Sequence, residues 1–236
     1  KMNIIKEKGV LIIDFGSQYT QLIARRIREE YVYSEVVNCD ISLTSVLKKK
    51  PGALILSGGP LSVYDKDNPK FDLNILKAEI PILGICYGLH LLVQHSGGVV
   101  EKSNYGEYGL AKINIKDKSL LFENIPNFTK VWMSHGDKVV KLPNGWRALA
   151  YSSNNIMAAI SNKDQTRVST QFHPEVMHTK EGARIIRNFI FKIGKCKKNW
   201  TADNFIDFQV DLIRKKIPSG KVIVGVSGGV DSSVVA

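Results

Sequence analysis

With 236 residues, 44% hydrophobic and 23% charged, the chain has the composition of a folded globular protein long enough to bury one full core and part of a second, which excludes a disordered or fibrous polypeptide. Its net charge of +11 comes mainly from lysines without interleaved aromatics, as at Lys48-Lys49-Lys50, and reads as a solvated surface with no nucleic-acid partner. Cys39, Cys86 and Cys196 are too far apart for a disulfide framework or a metal site, and no apolar run approaches membrane length, so the expectation is a cytoplasmic setting with no membrane and no metal.

Residues 1–8 are expected to be an N-terminal extension. Val10-Leu11-Ile12-Ile13 then predicts a buried strand, and Tyr19, Leu22, Ile23 and Ile27 recur at helical spacing. A second strand is expected over 34–37, a helix over 43–50, and a third strand over 53–56, stopped by Ser57-Gly58-Gly59-Pro60. Short apolar strands alternating with helices imply an α/β fold with a parallel sheet and helices on both faces. Sites on such sheets lie at the carboxyl ends of the strands, which would put Asp14, Gly59 and Cys86 on one rim.

Residues 81–88, PILGICYG, read as a fourth strand feeding a tight turn. The Gly84-x-Cys86-x-Gly88 pattern is the thiol counterpart of the serine elbow of hydrolases, with the glycines sparing the turn a Cβ clash. Leu89, Leu92 and Val93 follow at helical spacing, so Cys86 is expected as an exposed thiol at a helix N-terminus, where the dipole favours thiolate. Core filler is the alternative for a lone cysteine in an apolar run. Gly58-Gly59-Pro60 is either a plain turn or an oxyanion hole, in which one backbone amide is worth roughly 3 kcal/mol in a transition state.

Beyond Gly97-Gly98 the pattern loosens into alternating strands such as 111–115 and 131–133, expected as antiparallel additions at the sheet edge. Ser134-His135-Gly136-Asp137 reads as a turn. A strand over 167–172 delivers Gln171-Phe172-His173-Pro174-Glu175. His173 has the chemistry to take a thiol proton and return it to a leaving amine, while Glu175 has that to orient the imidazole and stabilise its charge. Half ionisation of an ordinary cysteine at neutral pH needs roughly 2 kcal/mol. An imidazolium about 4 Å away supplies up to roughly 4 kcal/mol at an effective dielectric near 20.

These elements together resemble the class I glutamine amidotransferases over about residues 9–193, which implies a domain over 9–194, and the resemblance is carried by Asp14-Phe15-Gly16-Ser17-Gln18-Tyr19, Ser57-Gly58-Gly59-Pro60, the cysteine elbow, Met133-Ser134-His135-Gly136-Asp137 and Gln171-Phe172-His173-Pro174-Glu175. The resemblance implies a flavodoxin-like sheet, a Cys86-His173-Glu175 triad that hydrolyses glutamine without a cofactor, and an oxyanion hole from the amides of Gly59 and Tyr87. It further implies that Ser134, His135 and Asp137 help hold glutamine. His90 departs from the family pattern, standing where many members have glutamine.

Ile185, Ile186, Phe189, Ile190 and Ile193 form a helical stripe closing this domain, 195–199 reads as a linker, and 200–236 as the start of a second α/β domain. Thr201 is expected to cap a helix with Phe205, Phe208, Leu212 and Ile213 inward, followed by a strand over 221–226. Ser227-Gly228-Gly229-Val230-Asp231-Ser232-Ser233 comes next, a serine-rich turn or a phosphate loop without the lysine of a Walker motif. It resembles the pyrophosphate-binding loop of the ATP pyrophosphatase family, which implies ATP and Mg²⁺ and a domain continuing past Ala236. The two resemblances in one chain imply a ligase that transfers glutamine nitrogen to adenylated xanthosine monophosphate, with a homodimer formed through regions outside this chain. A γ-glutamyl hydrolase-like enzyme explains the triad alone, and a non-catalytic basic binding module explains the charge alone.

Overall fold

The computed structural model describes residues 8–235, so all but Lys8 of the expected N-terminal extension lies outside the described residues. The chain first alternates strand and helix: β1 (Val10–Asp14), α1 (Thr20–Glu29), β2 (Ser34–Asn38), α2 (Leu43–Lys49), β3 (Ala53–Leu56), β4 (Ile82–Ile85) and α3 (Tyr87–His95). Antiparallel strands follow as β5 (Val99–Ile115), β6 (Phe128–Lys141), β7 (Trp146–Ser152) and β8 (Met157–Asn162). β9 (Arg167–Thr170) then returns to the parallel part of the sheet, and α4 (Gly182–Asn188) continues into a π-helical turn at Phe189–Ile193.

All nine described strands form one sheet in the order β2-β1-β3-β4-β9-β8-β7-β5-β6, of which β2 to β9 are parallel neighbours. That parallel order is the flavodoxin-like one. Alternation along β1 explains the layering: Val10 and Ile12 pack with Ile23 and Ile27 of α1 and Ile185 and Phe189 behind it. Leu11 and Ile13 face the other side, with Val46 of α2 and Leu89 and Leu92 of α3. Each fully buried Ile or Leu contributes about 1.5–3 kcal/mol, so a strand buried on both faces must be apolar at nearly every position.

Three expectations about individual segments differ from the structure. Residues 134–137 are not a turn but lie inside β6, paired with β5, where Ser134 faces Tyr108, His135 faces Glu107 and Asp137 faces Lys102. The irregularity sits on the opposite strand, as a register shift between Lys102 and Glu107. Residues 221–226 form no strand, because no described strand pairs with them; Ile223 is 97% exposed. The helix that Thr201 caps through Asn204 N, α5 (Ala202–Lys216), fully buries none of its residues: Phe208 and Leu212 are half-buried, and Phe205 packs on the Trp200 ring. A short helix α6 (Val230–Val235) opens after the serine-glycine loop. Among the described residues no helix is long and apolar enough to cross a membrane.

Candidate active site

β4 ends at Ile85 and Cys86 occupies the N-cap of α3 with φ 50° and ψ −101°. Such a conformation in a non-glycine residue costs about 1–3 kcal/mol and persists only where its surroundings enforce it. They do so here by close backbone approach. A Cβ on Gly88 would lie 2.5 Å from the Leu56 carbonyl oxygen, and one on Gly84 would lie 2.6 Å from that of Gly88. The amide of Cys86 donates to Thr170 O at 2.8 Å, tying the elbow to β9. Contrary to the expected exposed thiol, Cys86 is only 6% exposed, because β6 passes over it and Ser134 O lies 3.5 Å from Sγ.

β9 carries the next residues to the same rim. His173 N donates to Trp132 O at 3.0 Å and Thr179 Oγ1 donates to His173 O at 2.6 Å, so the backbone bearing the imidazole is clamped from two sides. His173 Nδ1 donates to Glu175 Oε1 at 2.8 Å, Tyr19 packs edge-on against the ring, and Arg26 Nε donates to Glu175 O at 3.0 Å. Burial disfavours a charge on His173. The hydrogen bonds and negative charges of Cys86 and Glu175 outweigh it and lift the imidazole to about 10. An imidazolium is therefore favoured beside the sulfur, with Nδ1 committed to Glu175 and the other ring nitrogen left for Cys86.

Two cavities meet at Cys86. The larger, about 330 Å³, is lined by Gly59, Tyr87, Ser134, His135 and Asp137, all singled out in the sequence, and by His90. The second, about 280 Å³, runs past His173, Gly16 and Tyr19. Asp14 is not in either lining; its Oδ1 accepts from Gly16 N and Thr20 Oγ1 and so fixes the loop that is. A groove of about 490 Å³ between Glu30, Glu123, Lys180 and Arg184 is larger, but no cysteine, serine, threonine or histidine lines it.

The alternation of β6 turns His135 and Asp137 inward. His135 Nδ1 donates to Asp137 O at 2.8 Å, Asp137 Oδ2 accepts from Ser62 Oγ at 2.5 Å, and His135 Nε2 lies 3.4 Å from Glu107 Oε2. Glu107 in turn accepts from Ser152 Oγ and Asn154 Nδ2. Ser62, Asp65, Lys102 and Tyr108 complete the larger cavity and are not singled out by the sequence. Ser62 and Asp65 follow Gly59-Pro60 closely enough for that proximity to have flagged them, whereas Lys102 and Tyr108 depend on the β5–β6 register.

The loop at Ser227 to Ser233 is elsewhere: none of its described residues lines either cavity. Gly228 has φ +80°, Ser227 Oγ is 3.0 Å from Ser232 Oγ, and Ser233 N donates to Gly229 O at 3.1 Å.

Comparison with known proteins adds to this geometry. The profile of the family described as glutamine amidotransferase class-I matches residues 11–193. The chain belongs to that family. The matched span of this amidotransferase covers every strand of the sheet except the first residue of β1. Among curated relatives, the GMP synthase [glutamine-hydrolyzing] of Thermosipho africanus is 52% identical over 96% of this chain and 44% of its own length. That of Brachyspira hyodysenteriae is 48% identical over 96% of this chain and also 44% of its own length. The chain thus spans somewhat under half the length of these relatives. Among solved structures, a candidate GMP synthase subunit from Thermoplasma acidophilum superposes with TM-score 0.70 at 28% identity, covering 86% of this chain and 98% of that one. A glutamine amidotransferase of Thermotoga maritima shares the fold, with TM-score 0.59 at 22% identity over 88% of this chain and 91% of that one.

Proposed function

We propose that this chain is the glutaminase part of a glutamine-hydrolysing GMP synthase, with Cys86, His173 and Glu175 as its catalytic triad. The observation that carries the reading is the buried Cys86-His173-Glu175 line, in which an imidazolium is favoured between a sulfur at a helix N-terminus and a carboxylate. Cys86 Sγ attacks the side-chain carbonyl carbon of glutamine, and the resulting oxyanion is met by the amides of Gly59 and Tyr87. His173 protonates the departing nitrogen, so the C–N bond breaks, ammonia leaves and a thioester remains. Water then attacks the thioester with His173 as base, releasing glutamate and restoring the thiol. The larger cavity holds the substrate: Ser134, His135 and Asp137 lie along its wall, and Asp65 and Lys102 offer opposite charges to an amino acid's ammonium and carboxylate.

The segment after residue 194 is assigned as a linker over 195–199 and the beginning of a nucleotide-binding domain over 200–236. Residues Ser227, Gly228, Gly229, Val230, Asp231, Ser232 and Ser233 would hold the phosphates of ATP, with Mg²⁺. An exposed loop with a glycine at positive φ and three serine hydroxyls at the start of a helix fits such a group. ATP activates xanthosine monophosphate as an adenylate for attack by ammonia. The partners are therefore glutamine here, and xanthosine monophosphate and ATP in the complete protein, which we place in the cytoplasm.

Glutamate release from glutamine, measured for this chain and for Cys86→Ala, tests the first half of the reading. Loss in the variant supports it, and equal rates overturn it. Formation of GMP, AMP and pyrophosphate by the complete protein from xanthosine monophosphate, ATP, Mg²⁺ and glutamine tests the second half, and their absence would leave a stand-alone glutaminase.

A further inference from the structure

The proposed chemistry gives no role to two buried polar side chains beside the nucleophile. His90, on α3 one turn beyond Cys86, is 3% exposed, and Gln171, just past β9, is fully buried. His90 Nε2 lies 2.9 Å from Gln171 Oε1, and Gln171 Nε2 lies 3.8 Å from Cys86 Sγ, within reach of an N–H bond to sulfur. The sense of the chain follows from donor chemistry. A carboxamide oxygen only accepts, so the hydrogen between the two side chains belongs to His90 Nε2, and the Gln171 NH₂ is left pointing at the sulfur. With the carboxamide turned over, its oxygen would face Cys86 and repel a thiolate.

The groups around His90 keep it uncharged. Burial drives it down to about 4, against the opposing pull of the Gln171 hydrogen bond and Asp137, while His135 adds to the lowering. His90 therefore serves as a neutral donor and brings no second cation to compete with His173.

We propose that His90 is a positioning residue acting through Gln171: its Nε2–H holds the carboxamide so that the Gln171 NH₂ donates to Cys86 Sγ. The thiolate then has a neutral donor as well as the His173 imidazolium. The inference rests on the reading of Cys86 as nucleophile and assigns a function to His90, which departs from the family pattern expected from the sequence. A histidine merely satisfied in the core would bond Gln171 equally well without any effect on the sulfur, and the two roles differ in what they do to thiol reactivity.

The test is the pH profile of Cys86 alkylation by iodoacetamide in the full chain, read from the Cys86-containing peptide by mass spectrometry. A hydrogen bond to a charged group is worth about an order of magnitude in its equilibrium, so below the midpoint Gln171→Met should be alkylated about tenfold more slowly, with its profile displaced to higher pH. His90→Phe should be displaced similarly, and the double variant no further than Gln171→Met alone, because the two residues act as one chain. His90→Gln keeps an N–H for Gln171 Oε1 and should recover most of the rate; being conservative, it also stands if His90→Phe fails to fold. A wild-type profile in Gln171→Met or His90→Phe, additive losses in the double variant, or no recovery in His90→Gln would each overturn the proposal. Failure of the underlying reading is separate: it would appear as glutamate release by Cys86→Ala, whatever the alkylation profiles.

Discussion

His173 Nδ1 and Glu175 Oε1 are 2.8 Å apart across a single proline, with the carboxylate wholly buried. Among the described residues no donor reaches the other carboxylate oxygen, so this imidazole is the partner that compensates the buried charge. Cys86→Ala should reduce glutamine hydrolysis by at least about ten-thousandfold. His173→Ala should cost nearly as much, and the double variant no more than either, because nucleophile and base act as a unit. Glu175→Gln keeps a hydrogen-bond acceptor but loses the charge, and should cost about a hundredfold. Steady-state glutamate release measures all four; a Glu175→Gln loss equal to that of Cys86→Ala would show a role beyond orienting His173.

Acid should destabilise the fold through His90. Its folded value of about 4 lies below the ordinary 6.5, so between these limits the unfolded chain binds more protons. The stability associated with neutral His90 is complete above 6.5 and is lost as pH falls toward 4, by up to roughly 3 kcal/mol. Urea unfolding at several pH values should show His90→Gln losing less stability than wild type over that window. Parallel losses in the two proteins would place the acid sensitivity elsewhere.

Gly88→Ala should destabilise by about 1–3 kcal/mol or more, since the new Cβ would meet the Leu56 backbone carbonyl oxygen at 2.5 Å and the Leu56 Cβ at 2.7 Å. Gly97→Ala is the useful comparison. Its Cβ meets nothing within 4 Å, so it carries only the cost of φ +90° in a non-glycine residue. Thermal unfolding of the two variants checks the ordering, and a smaller loss at Gly88 would contradict the close-approach account of the elbow.

The parallel half of the sheet is legible in the sequence because strands buried on both faces are continuous apolar runs, as at Val10-Leu11-Ile12-Ile13, and the helices between them carry regular stripes. The antiparallel half is legible only at 111–115 and 131–133, which do lie in β5 and β6 at the sheet edge. β7 mixes Trp146, Arg147 and Tyr151 with small residues, and β5 crosses a register shift, so neither shows a clean period of two. Glycine and aspartate favour turns in isolation, which is why 134–137 reads as one; in β6 the pairing with β5 overrides that preference. Expected residues from β3, α3, β6 and the segment after β9 do converge on Cys86: those after β3, β4 and β9 follow strands recognisable by themselves, and Ser134, His135 and Asp137 follow the short run 131–133. Pattern alone does not reveal the bridge from His90 to Gln171, 81 positions apart and dependent on the packing of α3 against β9. The strand expected over 221–226 shows the opposite limit: β-propensity does not make a strand where no described neighbour pairs with it.

Covalent trapping of the nucleophile is the most direct test of Cys86 as the residue that attacks glutamine. The chain should be treated with an electrophilic glutamine analogue, with and without excess glutamine, and the modified residue located by mass spectrometry. The expected result is a single adduct on Cys86, suppressed by glutamine and abolished in His173→Ala. An adduct on Cys39 or Cys196 with Cys86 untouched, or labelling of Cys86 that glutamine does not suppress, would contradict it.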